Sequence, residues 1–152
     1  MRSFDDVLPV LKTLGRALEK YARIDKMPFD FGVGDPLFPA EIHMVSTVVT
    51  QGPFSVTELA QELGTTKGAV SQLTGRLLKK GLFTKEKDRH NGARVIISAT
   101  ELGRVAHSRH MEFHQKHDAQ FMAFLQNLDD SSYQVVCSLS EEMDGWMGNY
   151  LK

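Results

Sequence analysis

Ten residues constrain this chain more than any others: Ser55-Val-Thr-Glu-Leu-Ala-Gln-Glu-Leu-Gly64. Ser55 stands three residues before Glu58, the spacing of a reciprocal N-terminal cap, and Gly64 suits a helix stop. Thr66 can cap a further helix over residues 67–80, ending at Gly81. Two short helices are thus joined by a tight turn. Ala60 falls four residues before Gly64 and Val70 six after it, with Leu59 and Leu73 at flanking core positions. A small residue lets two helices cross closely, a glycine makes the turn, and apolar residues fill the inner faces. That set is what helix-turn-helix geometry requires. Leu82-Phe-Thr-Lys-Glu then reads as a short strand, residues 88–92 as a turn and Val95-Ile-Ile-Ser as a second strand. A hairpin behind the second helix extends the expectation to a winged helix-turn-helix.

The flanks read as helices. Phe4, Val7, Leu8, Leu11, Leu14, Leu18 and Tyr21 recur at spacings of three and four, one apolar stripe. Pro9 lies within it, so the helix either kinks or begins late. Pro28, Gly32, Gly34, Pro36 and Pro39 mark a loop, and residues 40–51 a helix stopped by Gly52-Pro53. Thr100 to about Leu128 is a long helical stretch, broken by Asp129-Asp130-Ser131, which can cap a last helix to about Tyr150. The expected fold is mainly α with a small β-hairpin wing: residues 38–99 form the winged DNA-binding domain, and residues 1–37 and 100–152 a helical dimerisation region. The stripes over 4–21 and 133–150 are more apolar than a lone winged domain can cover. They either pair two copies of the chain or pack on its own core. Trp146, Met147 and Tyr150 are candidate interface anchors.

Charge bears on the partner. The 152 residues carry 18 Lys+Arg and 19 Asp+Glu, a net charge of −1. Between residues 55 and 95, however, eight bases face four acids, whereas the rest holds ten bases and fifteen acids. A basic middle between acidic flanks is either a footprint for a polyanion or a solvated charged face. The second helix would enter a major groove with its N-terminal part. Gln72 can pair bidentately with adenine, and Lys67 can reach guanine acceptors. Arg76, Lys79 and Lys80 would neutralise phosphate, which supplies affinity without sequence choice. Arg89, His90, Asn91 and Arg94 sit at the hairpin tip, within reach of a minor groove or backbone. The candidate contact set is Ser55, Thr66, Lys67, Ser71, Gln72, Thr74, Arg76, Lys79, Arg89, His90, Asn91 and Arg94.

These motifs resemble those of the MarR family of bacterial transcriptional regulators. The resemblance runs through Ser55-Val-Thr-Glu-Leu-Ala, Thr66-Lys-Gly-Ala-Val-Ser-Gln, Leu78-Lys-Lys-Gly-Leu and Arg94-Val-Ile-Ile-Ser-Ala-Thr-Glu-Leu-Gly103. It implies a homodimer built from the N- and C-terminal helices. It also implies a groove role for Arg89 or Arg94. The family's Asp-x-Arg at the wing is followed by Leu-Thr-x-x-Gly; here Ala99 stands for the Leu. A twofold dimer would read a pseudo-palindromic operator on double-stranded DNA, with half-sites about 10 base pairs apart.

Four histidines share one helical face: His107, His110, His114 and His117. His110 and His114 lie one turn apart, which lets two imidazoles share a metal. His43 and Asp25 could complete a four-ligand site. Asp25, His43, His110 and His114 resemble, in order, the site of the zinc-responsive branch of the MarR family. That branch has Glu where this chain has Asp25, and a second site with a cysteine that is missing here. Glu41-Ile-His43 and His107-x-x-His110-x-x-Phe113-His114 resemble equally a branch regulating fatty-acid synthesis, whose effector is an acyl chain on a carrier protein. The effector read from sequence is therefore zinc or another divalent metal, a small molecule or an acyl carrier. The remaining alternative is a hydrogen-bonded structural cluster.

Other classes are disfavoured. The chain has no Gly-rich phosphate loop, nucleophile elbow or His-Glu-x-x-His motif, so no enzyme is expected. No apolar run approaches the ~20 residues of a membrane helix, and MRSFDDVLPV lacks the basic start and apolar stretch of a signal peptide. A lone Cys137 fits a reducing cytoplasm. The function read from sequence is a cytoplasmic DNA-binding repressor. The competing reading is a metal-binding or protein-interaction module on a winged scaffold without operator binding.

Overall fold

The computed structural model describes residues 1–88 and 94–150. By packing density the chain divides into two compact units, Met1–Met111 and Glu112–Lys152.

In the first unit, α1 spans Phe4–Ile24. It starts where Ser3 and Asp6 cap each other: Asp6 N–H donates to Ser3 Oγ at 3.3 Å, and Ser3 N–H donates to the Asp6 carboxylate at 2.9 Å. That cap sets the start well ahead of Pro9, so the helix does not begin late. Proline at position 9 costs one backbone hydrogen bond, to the Asp5 carbonyl, and α1 continues through it. The loop that follows is pinned by a bridge between Phe29 and Leu37. Helix α2 then runs Pro39–Gln51, with proline at its first position, where its missing N–H costs nothing.

The two-helix turn and the hairpin follow with the expected elements and one added strand. Strand β1 is Phe54–Ser55, α3 is Val56–Glu62, α4 is Lys67–Lys79, β2 is Phe83–Lys87 and β3 is Val95–Ala99. The sheet order is β1-β3-β2, antiparallel throughout. Ile97 in the central strand faces Phe54 on one side and Lys85 on the other, and is wholly buried. Between α3 and α4, Gly64 adopts φ +59, a left-handed conformation that a side chain strains. Leu59, Ala60, Val70, Leu77, Leu82 and Ile97 form the core with Ile42, Met44, Val45 and Val48 of α2. Helix α5, Glu101–His117, starts against the sheet. A Cβ on Gly103 would lie 2.5 Å from the Leu82 carbonyl oxygen, so only glycine permits this approach.

In the second unit, α6 spans Ala119–Gln126 and α7 spans Asp130–Gly148. The long helix expected over 100–128 is interrupted at Asp118, a poor helix former whose carboxylate pairs with Nδ1 of His114 one turn back. Asp129 caps α7 through Ser132 N–H at 2.9 Å. Bonds from Ser131 and Ser132 hold the Asp129 carboxyl down at about 2.

No residue of α1, α6 or α7 is buried. Phe4, Val10 and Tyr21 on α1, Phe121 and Phe124 on α6, and Val135 and Trp146 on α7 are more than half exposed. The apolar stripes read in the sequence are therefore left uncovered within their own units.

Candidate nucleic-acid interface and histidine cluster

Helix α4 sorts its side chains by face. Thr66 caps it, accepting from Ala69 N–H at 3.2 Å. Lys67, Ser71, Gln72 and Lys79 are exposed. Thr74 is not: it is 2% exposed, with its hydroxyl toward Met44 Sδ at 4.0 Å. The expectation that Thr74 contacts DNA is corrected. Val70, Thr74 and Leu77 recur at spacings of four and three, which is the inward face.

Of the residues read as phosphate contacts, Lys80 is drawn inward, and Arg76 is tethered while keeping its charge exposed. Both reach Glu41 of α2, which is 1% exposed: Arg76 Nε lies 3.2 Å from Oε1, and Lys80 Nζ lies 2.9 Å from Oε2. Lys80 also donates to the Pro36 carbonyl at 3.0 Å. Burial alone would raise the Glu41 carboxyl. Bonds from Lys80 and Phe38 N–H, with the charges of Lys80 and Arg76, outweigh it and hold the group below its ordinary value. Arg76 keeps 57% of its side chain exposed and still presents charge, whereas Lys80 is mostly covered. Sequence reading missed Glu41 as an anchor. The local signal was a glutamate three residues after Phe38, to whose N–H it reaches back at 3.1 Å.

The wing is rooted by a second carboxylate. Ser55 Oγ accepts from Glu58 N–H at 3.3 Å, and Ser55 N–H donates to Glu58 Oε2 at 2.8 Å, so the hydroxyl of Ser55 is used as a cap. The other oxygen of Glu58 pairs with Nη2 of Arg94, whose Nη1 lies 3.5 Å from Asp88. The Ser55 N–H bond first, then Arg94 and the Ser55 hydroxyl, lower the Glu58 carboxyl to about 2. Arg94, 40% exposed, thus ties both ends of the wing loop to the start of α3. Arg89, His90 and Asn91 lie outside the described residues.

The histidines of the first unit surround α2. His110 is 6% exposed. Its ring meets Phe31 edge-on at 5.4 Å and His43 at 5.4 Å. His43 and His110 bring ring nitrogens within 4.8 Å of each other. Ser46 Oγ lies 3.0 Å from Nδ1 of His107 and 3.1 Å from Nδ1 of His110. Arg109 donates to the carbonyls of Phe31 and Gly32 at 3.0 and 2.8 Å, fixing the loop that carries Phe31. His114 stands one turn beyond His110 on α5, with Nδ1 engaged by Asp118. His117 is exposed and packs on Phe113 with ring centres 4.2 Å apart. Asp25 is exposed at the C-terminal cap of α1 and does not belong to the histidine group. The donors present are imidazoles, which suit zinc.

A capped two-helix turn, an exposed polar face on its second helix and a charge-rooted hairpin define a winged helix-turn-helix protein. Residues 37–94 match the MarR family. The uncharacterized HTH-type transcriptional regulator YhjH of Bacillus subtilis (strain 168) is 32% identical over 99 residues, 65% of this chain and 57% of YhjH. The chain thus spans little more than half the length of that relative. Two solved structures share the fold. The zinc-responsive MarR family member ZitR of Lactococcus lactis has a TM-score of 0.70 at 14% identity, over 91% of this chain and 96% of ZitR. FabT of Streptococcus pneumoniae, solved in complex with DNA, has a TM-score of 0.65 at 15% identity, over 97% and 99%. The match to the MarR family is thus confined to residues 37–94, and the relative found by sequence is an HTH-type transcriptional regulator. No described helix is long and apolar enough to cross a membrane.

Proposed function

We propose that this chain is a homodimeric repressor that binds a pseudo-palindromic operator and releases or tightens on it in response to an effector. The observation that carries this reading is α4 itself. Its base is locked through Glu41, and its exposed face offers Lys67, Ser71 and Gln72 behind the Thr66 cap. Gln72 and Lys67 supply base contacts; Lys79 and Arg76 supply phosphate charge. Arg94 positions the wing, with Arg89, His90 and Asn91 as further contacts. FabT, solved with DNA, supports the same docking for a chain of this fold.

The dimer reading rests on the uncovered apolar faces of α1 and α7, in the regions 1–37 and 100–152 outside the winged segment. The effector reading rests on the histidines. His43 and His110, with ring nitrogens within 4.8 Å of each other, supply donors for zinc or a similar divalent cation, and His114, the next histidine of α5 on that face, is a further candidate from the sequence. The zinc-responsive ZitR, alike in fold, supports a metal over an acyl carrier or small molecule. Such a repressor works in the cytoplasm.

A salt-dependent gel shift on genomic fragments tests the proposal. Binding to a discrete fragment is expected, and Lys67→Ala with Arg94→Ala weakens it. Negligible affinity for every duplex at low salt would leave the chain as an interaction or metal-binding module.

A further inference from the structure

Arg76 and Lys80 of α4 share one carboxylate, Glu41 of α2, and they share it unequally. Lys80 Nζ lies 2.9 Å from Oε2 with 19% of its side chain exposed, whereas Arg76 Nε lies 3.2 Å from Oε1 with 57% exposed. Two cations on one anion leave the trio with a surplus positive charge. Lys80, the covered member, balances the acid, so the surplus is displayed by Arg76. A guanidinium holds five N–H donors in one rigid plane. Glu41 takes the donor on Nε. The four on Nη1 and Nη2 meet no other group among the described residues. Because the group is planar, pinning Nε to a residue that is 1% exposed also fixes the plane of those four donors. Paired Nη groups match two oxygens of one phosphate. We infer that Glu41 is a positioning residue for DNA binding, which aims the Nη1–Nη2 fork of Arg76 at a single backbone phosphate.

The inference rests on the operator-binding reading above and gives a task to an acid that is itself out of reach of a duplex. The neighbours of Arg76 agree with it. Gln72 stands four residues before Arg76 and Lys79 three after, and both are exposed. Side chains so spaced are adjacent on a helix. The fork thus lies between an amide suited to a base edge and an ammonium suited to a further phosphate. Tethering also lowers the cost of binding, since a free arginine loses rotamer freedom on contact and one already held loses less. Lysine cannot replace it. Its single ammonium either stays on Glu41 or turns to phosphate, whereas arginine does both at once. The opposite role for Glu41 is a screen, an anion that cancels Arg76 and repels the duplex. The two roles differ in sign: loss of the acid weakens DNA binding if Glu41 aims the fork and strengthens it if Glu41 screens the charge.

Fluorescence anisotropy of the full chain on a labelled random-sequence duplex, across a salt series, reads phosphate contacts without knowledge of the operator. Arg76→Ala should bind about tenfold more weakly at low salt, with the salt slope reduced by about one. Arg76→Lys, which keeps the charge, should lose most of the same affinity. Glu41→Gln should also weaken binding, and in that background Arg76→Lys should cost less than about twofold. Wild-type affinity and slope in Arg76→Lys overturn the aiming, because charge alone then suffices. Tighter or unchanged binding by Glu41→Gln overturns it too, as does an equal cost of Arg76→Lys in both backgrounds. If Glu41→Gln loses helical content at the assay temperature, Arg76→Ala and Arg76→Lys decide on a chain in which Glu41 and Lys80 are intact. A wild-type chain that binds no duplex at low salt fails the operator reading and takes the inference with it; a wild-type chain that binds, matched by Arg76→Lys, fails the inference alone.

Discussion

Nζ of Lys80, at the end of α4, lies 2.9 Å from Oε2 of Glu41, a carboxylate on α2 with 1% of its side chain exposed. The same carboxylate takes Nε of Arg76 at 3.2 Å. One buried acid thus fixes the C-terminal half of α4 against the helix that also carries His43 and Ser46. A buried charge is tolerated only when paired and hydrogen-bonded, and here three donors serve it: Lys80 Nζ, Arg76 Nε and Phe38 N–H.

Glu41→Gln should therefore destabilise the chain by about 1–3 kcal/mol, since it removes the charge and strands Lys80, the better-covered partner. Urea unfolding would measure it. The sign of the pH effect follows from the direction of the shift. Glu41 is held below its ordinary value, so its contribution is present above the ordinary carboxylate range and is lost as pH falls through the depressed value. Glu41→Gln should flatten that acid limb. A variant as stable as wild type, with the acid limb unchanged, would remove Glu41 from its role as anchor.

A second prediction concerns the wing. Glu58 titrates at about 2 instead of its ordinary 4.5, because Ser55 N–H, Arg94 and the Ser55 hydroxyl all favour the ionised form. Its contribution is full above 4.5 and fades as pH falls toward 2. In Arg94→Ala the carboxyl should move up only part of the way, since the Ser55 bonds remain. Carbon-detected NMR titration of the Glu58 side chain reads this. A full return to the ordinary value would mean that the cap contributes nothing.

A third prediction tests the junction between sheet and α5. A methyl on Gly103 would lie 2.5 Å from the Leu82 carbonyl, a contact with rigid backbone. Gly103→Ala should cost about 1–3 kcal/mol through overpacking. Because alanine otherwise favours helices over glycine, a rise in melting temperature would show that α5 sits farther from β2.

What the sequence revealed and what it hid differ by range. The caps at Ser55 and Thr66, the turn at Gly64 and the strands of the wing are local patterns, and each was legible within a few residues. Strand β1 escaped because Phe54–Ser55 is too short for alternation to register. Glu41 escaped as an anchor because its partners Arg76 and Lys80 lie 35 and 39 residues away. Ser46 escaped for the same reason, 61 and 64 residues from its histidines. Thr74 was misplaced because its polar side chain suggested the outer face, while its spacing from Val70 and Leu77 put it on the inner one. The break at Asp118 was lost within an otherwise continuous apolar period, since one aspartate weakens a helix without announcing its end.

Thr74 supplies the last prediction, which separates the two faces of α4. With 2% of its surface exposed and only a Met44 sulfur at 4.0 Å from its hydroxyl, Thr74 has no path to a base. Thr74→Val should leave operator affinity within about twofold, because the recognition surface is untouched and the lost contact is weak. Gln72→Ala lies on the exposed face and should relax discrimination at one position by about 1–3 kcal/mol. Lys67→Ala should weaken binding to specific and random duplexes alike and reduce the salt slope by about one if it meets phosphate, or act like Gln72→Ala if it reads guanine. Fluorescence anisotropy across a salt series distinguishes all three. If Thr74→Val weakens the operator as much as Gln72→Ala does, α4 meets DNA with the face that packs on α2, and the docking proposed here is wrong.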